Sequence, residues 1–175
     1  MNMTRCFCMR VAIALAMVVL GCEHPGTSTV ELKRFPMTSL DNVLTRSGVS
    51  LDQTVSSDGN GALKIVADQP TTVRLFEVRK LNVENARLLY QARLRTEAVE
   101  GQVYLEMWCQ FPGLGEFFSR GLHAPLSGSV EWTTQEIPFF LQQGQKPEVV
   151  KLNVVVNGRG TAWVDDIVLC KGALE

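Results

Sequence analysis

The chain has 175 residues, 46% of them hydrophobic and 20% charged, with 5 Cys. It is too apolar for a disordered chain and too poor in cysteine for a disulfide-built miniprotein. One globular domain fits the length, and at this size folding buries roughly 70% of the unfolded surface. The formal net charge of -1, from 17 Lys+Arg against 18 Asp+Glu, offers no basic field, which sets nucleic acid aside as a partner.

The first element is an address. Arg5 and Arg10 precede an unbroken apolar run from Val11 to Leu20, followed by Gly21 and Cys22. The run is about half the roughly 20 residues that a membrane span needs, and a basic start, a short apolar stretch and a small residue at the cut form an export signal. Val19-Leu20-Gly21-Cys22 resembles the lipobox of bacterial lipoproteins. That resemblance implies a signal peptide over residues 1–21, cleavage before Cys22 and diacylation of its thiol. The polar stretch that follows suits a tether over residues 22–34, leaving residues 35–175 as the folded domain. The implied setting is the bacterial cell envelope, with the domain lipid-anchored at the outer membrane or its periplasmic face. Cys6 and Cys8 leave with the signal, so Cys109 and Cys170 are the thiols of the domain. In an oxidising compartment they form a disulfide, or each stays a buried free thiol in its strand; the spacing does not choose between the two.

From Ala62 onward, runs rich in β-branched and aromatic residues alternate with Gly, Pro, Asn and Asp clusters, the pattern of an all-β sandwich. Strands are expected over residues 62–67, 71–78, 88–96, 102–111, 130–140, 149–157 and 161–170. Asn157-Gly158-Arg159-Gly160 reads as a hairpin joining the last two, and Gly113 to His123 reads as a loop that either caps a cleft or is a packed connection. Period-two alternation assigns Leu88, Tyr90, Ala92 and Leu94 to the core, together with Val103, Leu105, Met107, Cys109 and Phe111, and Leu152, Val154 and Val156. The opposite faces mix polar and aromatic groups.

Asp58-Gly59-Asn60-Gly61-Ala62-Leu63-Lys64-Ile65, Tyr90-Gln91-Ala92-Arg93-Leu94-Arg95, Trp132 with Ile137-Pro138, and above all Gly158-Arg159-Gly160-Thr161-Ala162-Trp163-Val164-Asp165-Asp166-Ile167-Val168-Leu169 resemble the jelly-roll carbohydrate-binding modules of the galactose-binding-like superfamily. The likeness spans residues 57–170 and implies a jelly-roll β-sandwich more directly than it implies a ligand.

In such modules a concave sheet face offers aromatic rings to the C–H face of a sugar and planar polar groups to its hydroxyls. Trp108, Tyr104, Glu106, Gln110, Gln91, Arg93 and Asn153 are the candidates here. The alternative is a plain solvent face, with Arg93 and Glu106 as a cross-strand ion pair. Trp132 and Trp163 fit core or sandwich rim better than a ligand platform. The resemblance also implies a structural calcium ion at Asp165 and Asp166. Two adjacent carboxylates supply few of the six to eight oxygens that calcium requires, and capping of backbone N–H groups by Asp166 is the other reading.

Catalysis finds little support. Glu106 has no evident second acid of the kind a glycosidase needs, and His123 alone makes neither a triad nor a metal centre. The sequence thus points to a non-catalytic, lipid-anchored binding module for a polysaccharide or glycoconjugate, or else to a structural lipoprotein that docks another envelope protein.

Overall fold

The computed structural model describes residues 28–174, and within them the chain is all β. The expected signal peptide, its cleavage site and Cys22 lie outside the described residues. Eight strands follow one another: β1 (Val30–Phe35), β2 (Val49–Asp52), β3 (Ala62–Ala67), β4 (Thr71–Arg79), β5 (Ala86–Phe111), β6 (Gly115–Arg120), β7 (Leu126–Leu141) and β8 (Val149–Gly172). β1 occupies the last part of the segment expected to be a tether, pairing antiparallel with the end of β8 from Val30 opposite Lys171 to Phe35 opposite Ile167.

β5 and β8 are far longer than expected because pairs of expected strands are continuous. They run antiparallel from Arg87 opposite Gly172 to Gln110 opposite Val149. Asn157-Gly158-Arg159-Gly160 is therefore a corner within one strand rather than the expected hairpin. The reason is steric. A Cβ on Gly158 would lie 1.9 Å from the Glu100 carbonyl oxygen, and one on Gly160 would lie 2.7 Å from the Val99 Cα. Only glycine lets the two backbones press together where both strands bend. Ala98 (φ 50) and Gly101 (φ 121) make the matching bend in β5, where the register slips between Glu97 and Glu100.

Beyond the corner the parity of the inward set changes. Leu88, Tyr90, Ala92 and Leu94 are buried before it, and Val103, Leu105, Met107, Cys109 and Phe111 after it, as the alternation requires. Leu152, Val154 and Val156 complete the same core.

The bend folds the sheet over itself into two layers. The first layer holds β7, the early part of β5, the late part of β8, β1, β3 and β2; the second holds β6, the late part of β5, the early part of β8, and β4. Rings bind the layers to each other: Phe35 of β1 stacks on Phe76 of β4 at 3.9 Å, and Phe111 of β5 meets Phe139 of β7 at 6.2 Å. The result is the expected jelly-roll β-sandwich, with its outer faces pointing in opposite directions.

Two readings that the sequence left open, at the cysteines and at the aspartate pair, are decided by the structure. Cys109 and Cys170 are both free. Cys109 lies in the inter-layer core, whereas Cys170 belongs to a small cluster with Leu89 and Val168 on the outside of the first layer, so no disulfide joins them. Burial pushes the Cys109 thiol up to about 12, which leaves it protonated and inert.

The calcium reading does not fit the donor set. Asp165, 1% exposed, accepts hydrogen bonds at Oδ2 from the Ser57 amide (2.9 Å) and the Ser57 hydroxyl (2.7 Å), and at Oδ1 from the Asp166 amide (2.8 Å). Those oxygens are turned to N–H and O–H donors, while Asp166 points outward to pair with Arg34. No group of three or more metal-binding side chains exists among the described residues. The capping role is real, but Asp165 performs it rather than Asp166.

Trp163 is a rim residue. Its Nε1 donates to Asp52 Oδ2 at 2.9 Å, and Lys64 and Arg95 each stand 5.3 Å from its ring centre. Trp132 is half-buried on β7.

Candidate functional site

The outer face of the second layer is built from four strands in the order β6, β5, β8, β4, and the register places their side chains in rows. One row reads Arg120, Glu106, Asn153, Arg74; the next reads Phe118, Trp108, Lys151, Glu77. Alternation after the corner turns Tyr104, Glu106, Trp108 and Gln110 outward together.

Tyr104 (7% exposed), Glu106 (4%) and Asn153 (6%) are nevertheless buried. They form a polar floor beneath the surface side chains, with half-buried Trp108 and half-exposed Phe118 beside it. The rings of Trp108 and Phe118 touch at 4.9 Å between centroids with a 47° tilt. Arg120 lies 4.4 Å from the centre of the Phe118 ring, so a cation, a phenyl and an indole run side by side along the floor.

Glu106 is the chemical centre of this face. Its Oε2 accepts from Arg120 Nε at 2.6 Å and its Oε1 from Asn153 Nδ2 at 3.1 Å. Burial pushes the carboxyl up, but the neighbouring Trp108 indole, the hydrogen bonds from Arg120 and Asn153 and the Arg120 charge outweigh it and hold the group below the ordinary value of 4.5. It is thus a fixed carboxylate: an acceptor and an orienting group, not an acid with a proton to give. Lys151 extends the polar rim by pairing with Glu116 at 2.5 Å.

The candidate residues therefore separate into two sets. Tyr104, Glu106, Trp108, Gln110 and Asn153 share this face. Gln91 and Arg93 precede the corner and stand on the outside of the other layer, where Gln91 bonds Glu136 and Arg93 lies opposite Thr134 and Asp165. The cross-strand partner foreseen for Glu106 is correspondingly Arg120 rather than Arg93.

Arg120 and Phe118 were absent from the expected site because Gly113 to His123 reads as a loop. In the alternation Glu116, Phe118, Arg120 the signal of a short strand was present, but six residues with a glycine at the start give it little weight.

The fold is a jelly-roll β-sandwich, an architecture also found in carbohydrate-binding modules. The chain is similar to the CBM22-1 xylan-binding domain from Paenibacillus barcinonensis Xyn10C, with a TM-score of 0.61 at 8% identity over 86% of this chain and 99% of that one. It is also similar to the C-terminal family 22 carbohydrate binding module of Clostridium thermocellum Xyn10B (TM-score 0.57, 7% identity, 83% of this chain and 96% of that one). A third likeness is to the CBM22-1-GH10 modules of Clostridium thermocellum endo-1,4-beta-D-xylanase 10B complexed with xylohexaose (TM-score 0.59, 9% identity), of which it spans 79% of this chain and 28% of that one. At such identities the likeness establishes the fold. No protein-family model matches the chain, and no curated protein sequence does.

Proposed function

We propose that this protein is a non-catalytic carbohydrate-binding module that holds a polysaccharide or glycoconjugate against the outer face of its second layer, and that a lipid on Cys22 anchors it in the bacterial cell envelope. The observation that carries the reading is the pair of tilted rings of Trp108 and Phe118 beside the polar floor of Tyr104, Glu106 and Asn153.

A saccharide needs both parts. Its C–H face lies on a ring, and its hydroxyls bond to polar groups whose own geometry is already fixed, so little ordering entropy is lost on binding. Glu106, locked by Arg120 and Asn153, and the rim cations Lys151 and Arg74 supply such groups. The fold shared with xylan-binding modules supports the same reading.

The state of Glu106 supports the non-catalytic reading. A glycosidase acid keeps its proton at working pH by having its pKa raised, and Glu106 is shifted the opposite way. The leader up to Cys22 supports the anchor.

The test is an affinity-gel and glycan-array screen of the full-length chain in a mild non-ionic detergent, wild type beside Trp108→Ala. Retention on a plant or envelope polysaccharide, lost in Trp108→Ala with the fold intact, supports the reading. Failure of the wild type to bind any glycan sinks it in favour of a protein-docking lipoprotein.

A further inference from the structure

The second layer ends on β6, and the open edge of that strand is chemically matched to itself. The Gly121 amide bonds to the Leu105 carbonyl at 2.9 Å, and this fixes the hydrogen-bonding phase of the β5–β6 pair. Odd-numbered residues of β6 bond inward to β5. The N–H and C=O groups of Glu116, Phe118 and Arg120 therefore point away from the sheet, as the alternation of an antiparallel ladder requires. Nothing in the described chain pairs with them.

Natural edges are usually blunted by proline, bulges or a run of lysine. β7, one edge of the other layer, carries Pro138; β6 carries only Glu116 and Arg120, of opposite sign.

We propose that two copies of this chain associate through β6, antiparallel, on a two-fold axis at Phe118. In that register Phe118 faces Phe118 of the second copy, Phe117 faces Ser119, and Glu116 faces Arg120 twice over. It joins the outward-pointing backbone groups of both strands and forms both ion pairs. Sliding the strands by one residue turns the ladder groups out of phase and sets Glu116 against Ser119.

The charges have capacity to spare. Arg120 engages Glu106 through Nε, and Glu116 engages Lys151 through Oε1, which leaves the terminal guanidinium nitrogens and Oε2 for the second copy. Beside the edge lies a shallow groove of about 330 Å³ lined by Phe118, Ser119, Pro138, Phe139 and Phe140. Phe118 (51% exposed) and Phe140 (46%) stand open to water there, and a second copy on β6 covers them. The association is of the isologous, closed type, so it stops at two. It also brings the two polar floors onto one continuous sheet, their Glu106 positions about 20 Å apart, three strand spacings across and four residues along. That consequence rests on the sugar-binding reading, but the association does not.

The experiment is sedimentation of the full-length chain in density-matched non-ionic detergent over a concentration series, for wild type, Glu116→Arg, Phe118→Pro and Glu131→Arg. The expected wild-type result is a concentration-dependent dimer, weakened by salt. Glu116→Arg sets like charges opposite each other and lowers the association constant at least about tenfold. Phe118→Pro removes an N–H that only the second copy uses and abolishes the dimer. Glu131→Arg, on the edge of β7, leaves it unchanged. A wild type that stays monomeric throughout overturns the proposal. So does a dimer indifferent to Glu116→Arg, since that result places the interface elsewhere even if Phe118→Pro fails to fold.

Discussion

Arg120 reaches from an edge strand to place its Nε 2.6 Å from Oε2 of Glu106, a carboxylate with 4% exposure. The geometry makes the two residues unequal. Arg120 keeps more than a third of its side chain in water, whereas Glu106 has given up its hydration and depends on its partners. Removing Arg120 therefore strands a charge. Arg120→Ala is expected to destabilise the fold by about 1–3 kcal/mol, below the range for fully buried pairs because water reaches the gap. Glu106→Gln, which keeps the shape and removes the charge, is expected to cost less. Urea titrations of the two variants check this, and an Arg120→Ala protein as stable as wild type would show that Glu106 is hydrated without its partner.

The same carboxylate gives the protein an acid limit. Glu106 is held below 4.5 against the pull of burial, and Asp52 is held well below its ordinary 3.8, first by the Trp163 indole and then by Thr54. A carboxylate whose folded pKa is depressed contributes stability that is complete above its unfolded pKa and is lost as pH falls through the folded one. The contribution of these two groups to Tm is thus expected to be flat from neutrality down to about pH 5, and to fall steadily below about pH 4. Glu106→Gln and Asp52→Asn each lower the plateau and flatten the acid slope. Calorimetry between neutral pH and the acid range reads both effects; an unchanged acid slope in Asp52→Asn would place the linkage elsewhere.

At the corner, Gly158 and Gly128 provide a controlled contrast. Both have positive φ, but a Cβ on Gly158 meets the Glu100 carbonyl oxygen at 1.9 Å, while one on Gly128 meets nothing within 4 Å. Gly128→Ala should cost about 1 kcal/mol, the conformational penalty alone. Gly158→Ala must push two backbones apart at the point where both layers hinge, and more than about 4 kcal/mol is expected. Thermal denaturation of the two variants separates the effects. Similar losses would mean that the corner has room to relax.

How far the sequence speaks for this fold depends on the length of the signal in each region. Period-two alternation is strong in the residues from Leu88 to Leu94 and from Val103 to Phe111, so the core could be read directly. It says nothing about whether two runs belong to one bent strand, because a glycine pair suits a hairpin and a corner equally. That ambiguity at Gly158 and Gly160 also hid the split in the site. Gln91 and Trp108 both point outward from β5, and only the bend between them decides that they point to opposite sides. β6 was too short for its alternation to stand out, which is why Arg120 and Phe118 had to come from the structure.

Tyr90 presents the last expectation. Its side chain is fully buried in the core of the first layer, and its hydroxyl has no hydrogen-bond partner among the described residues. Burial alone drives its pKa far upward, so the group is a neutral phenol throughout the working range. A buried hydroxyl that has lost water and gained no partner costs about 1–3 kcal/mol, whereas the ring itself contributes favourably wherever it packs. Tyr90→Phe removes the first term and keeps the second. It is expected to raise stability by about 1 kcal/mol, discounted for the small void that the lost oxygen leaves, and thus to raise Tm by a few degrees for a domain of this size. Tyr90→Leu, which also removes ring packing, should lower it. Denaturant unfolding of both variants decides the matter: a loss of stability in Tyr90→Phe would show that a bound water satisfies the hydroxyl, and that the core of the first layer is wet at this point.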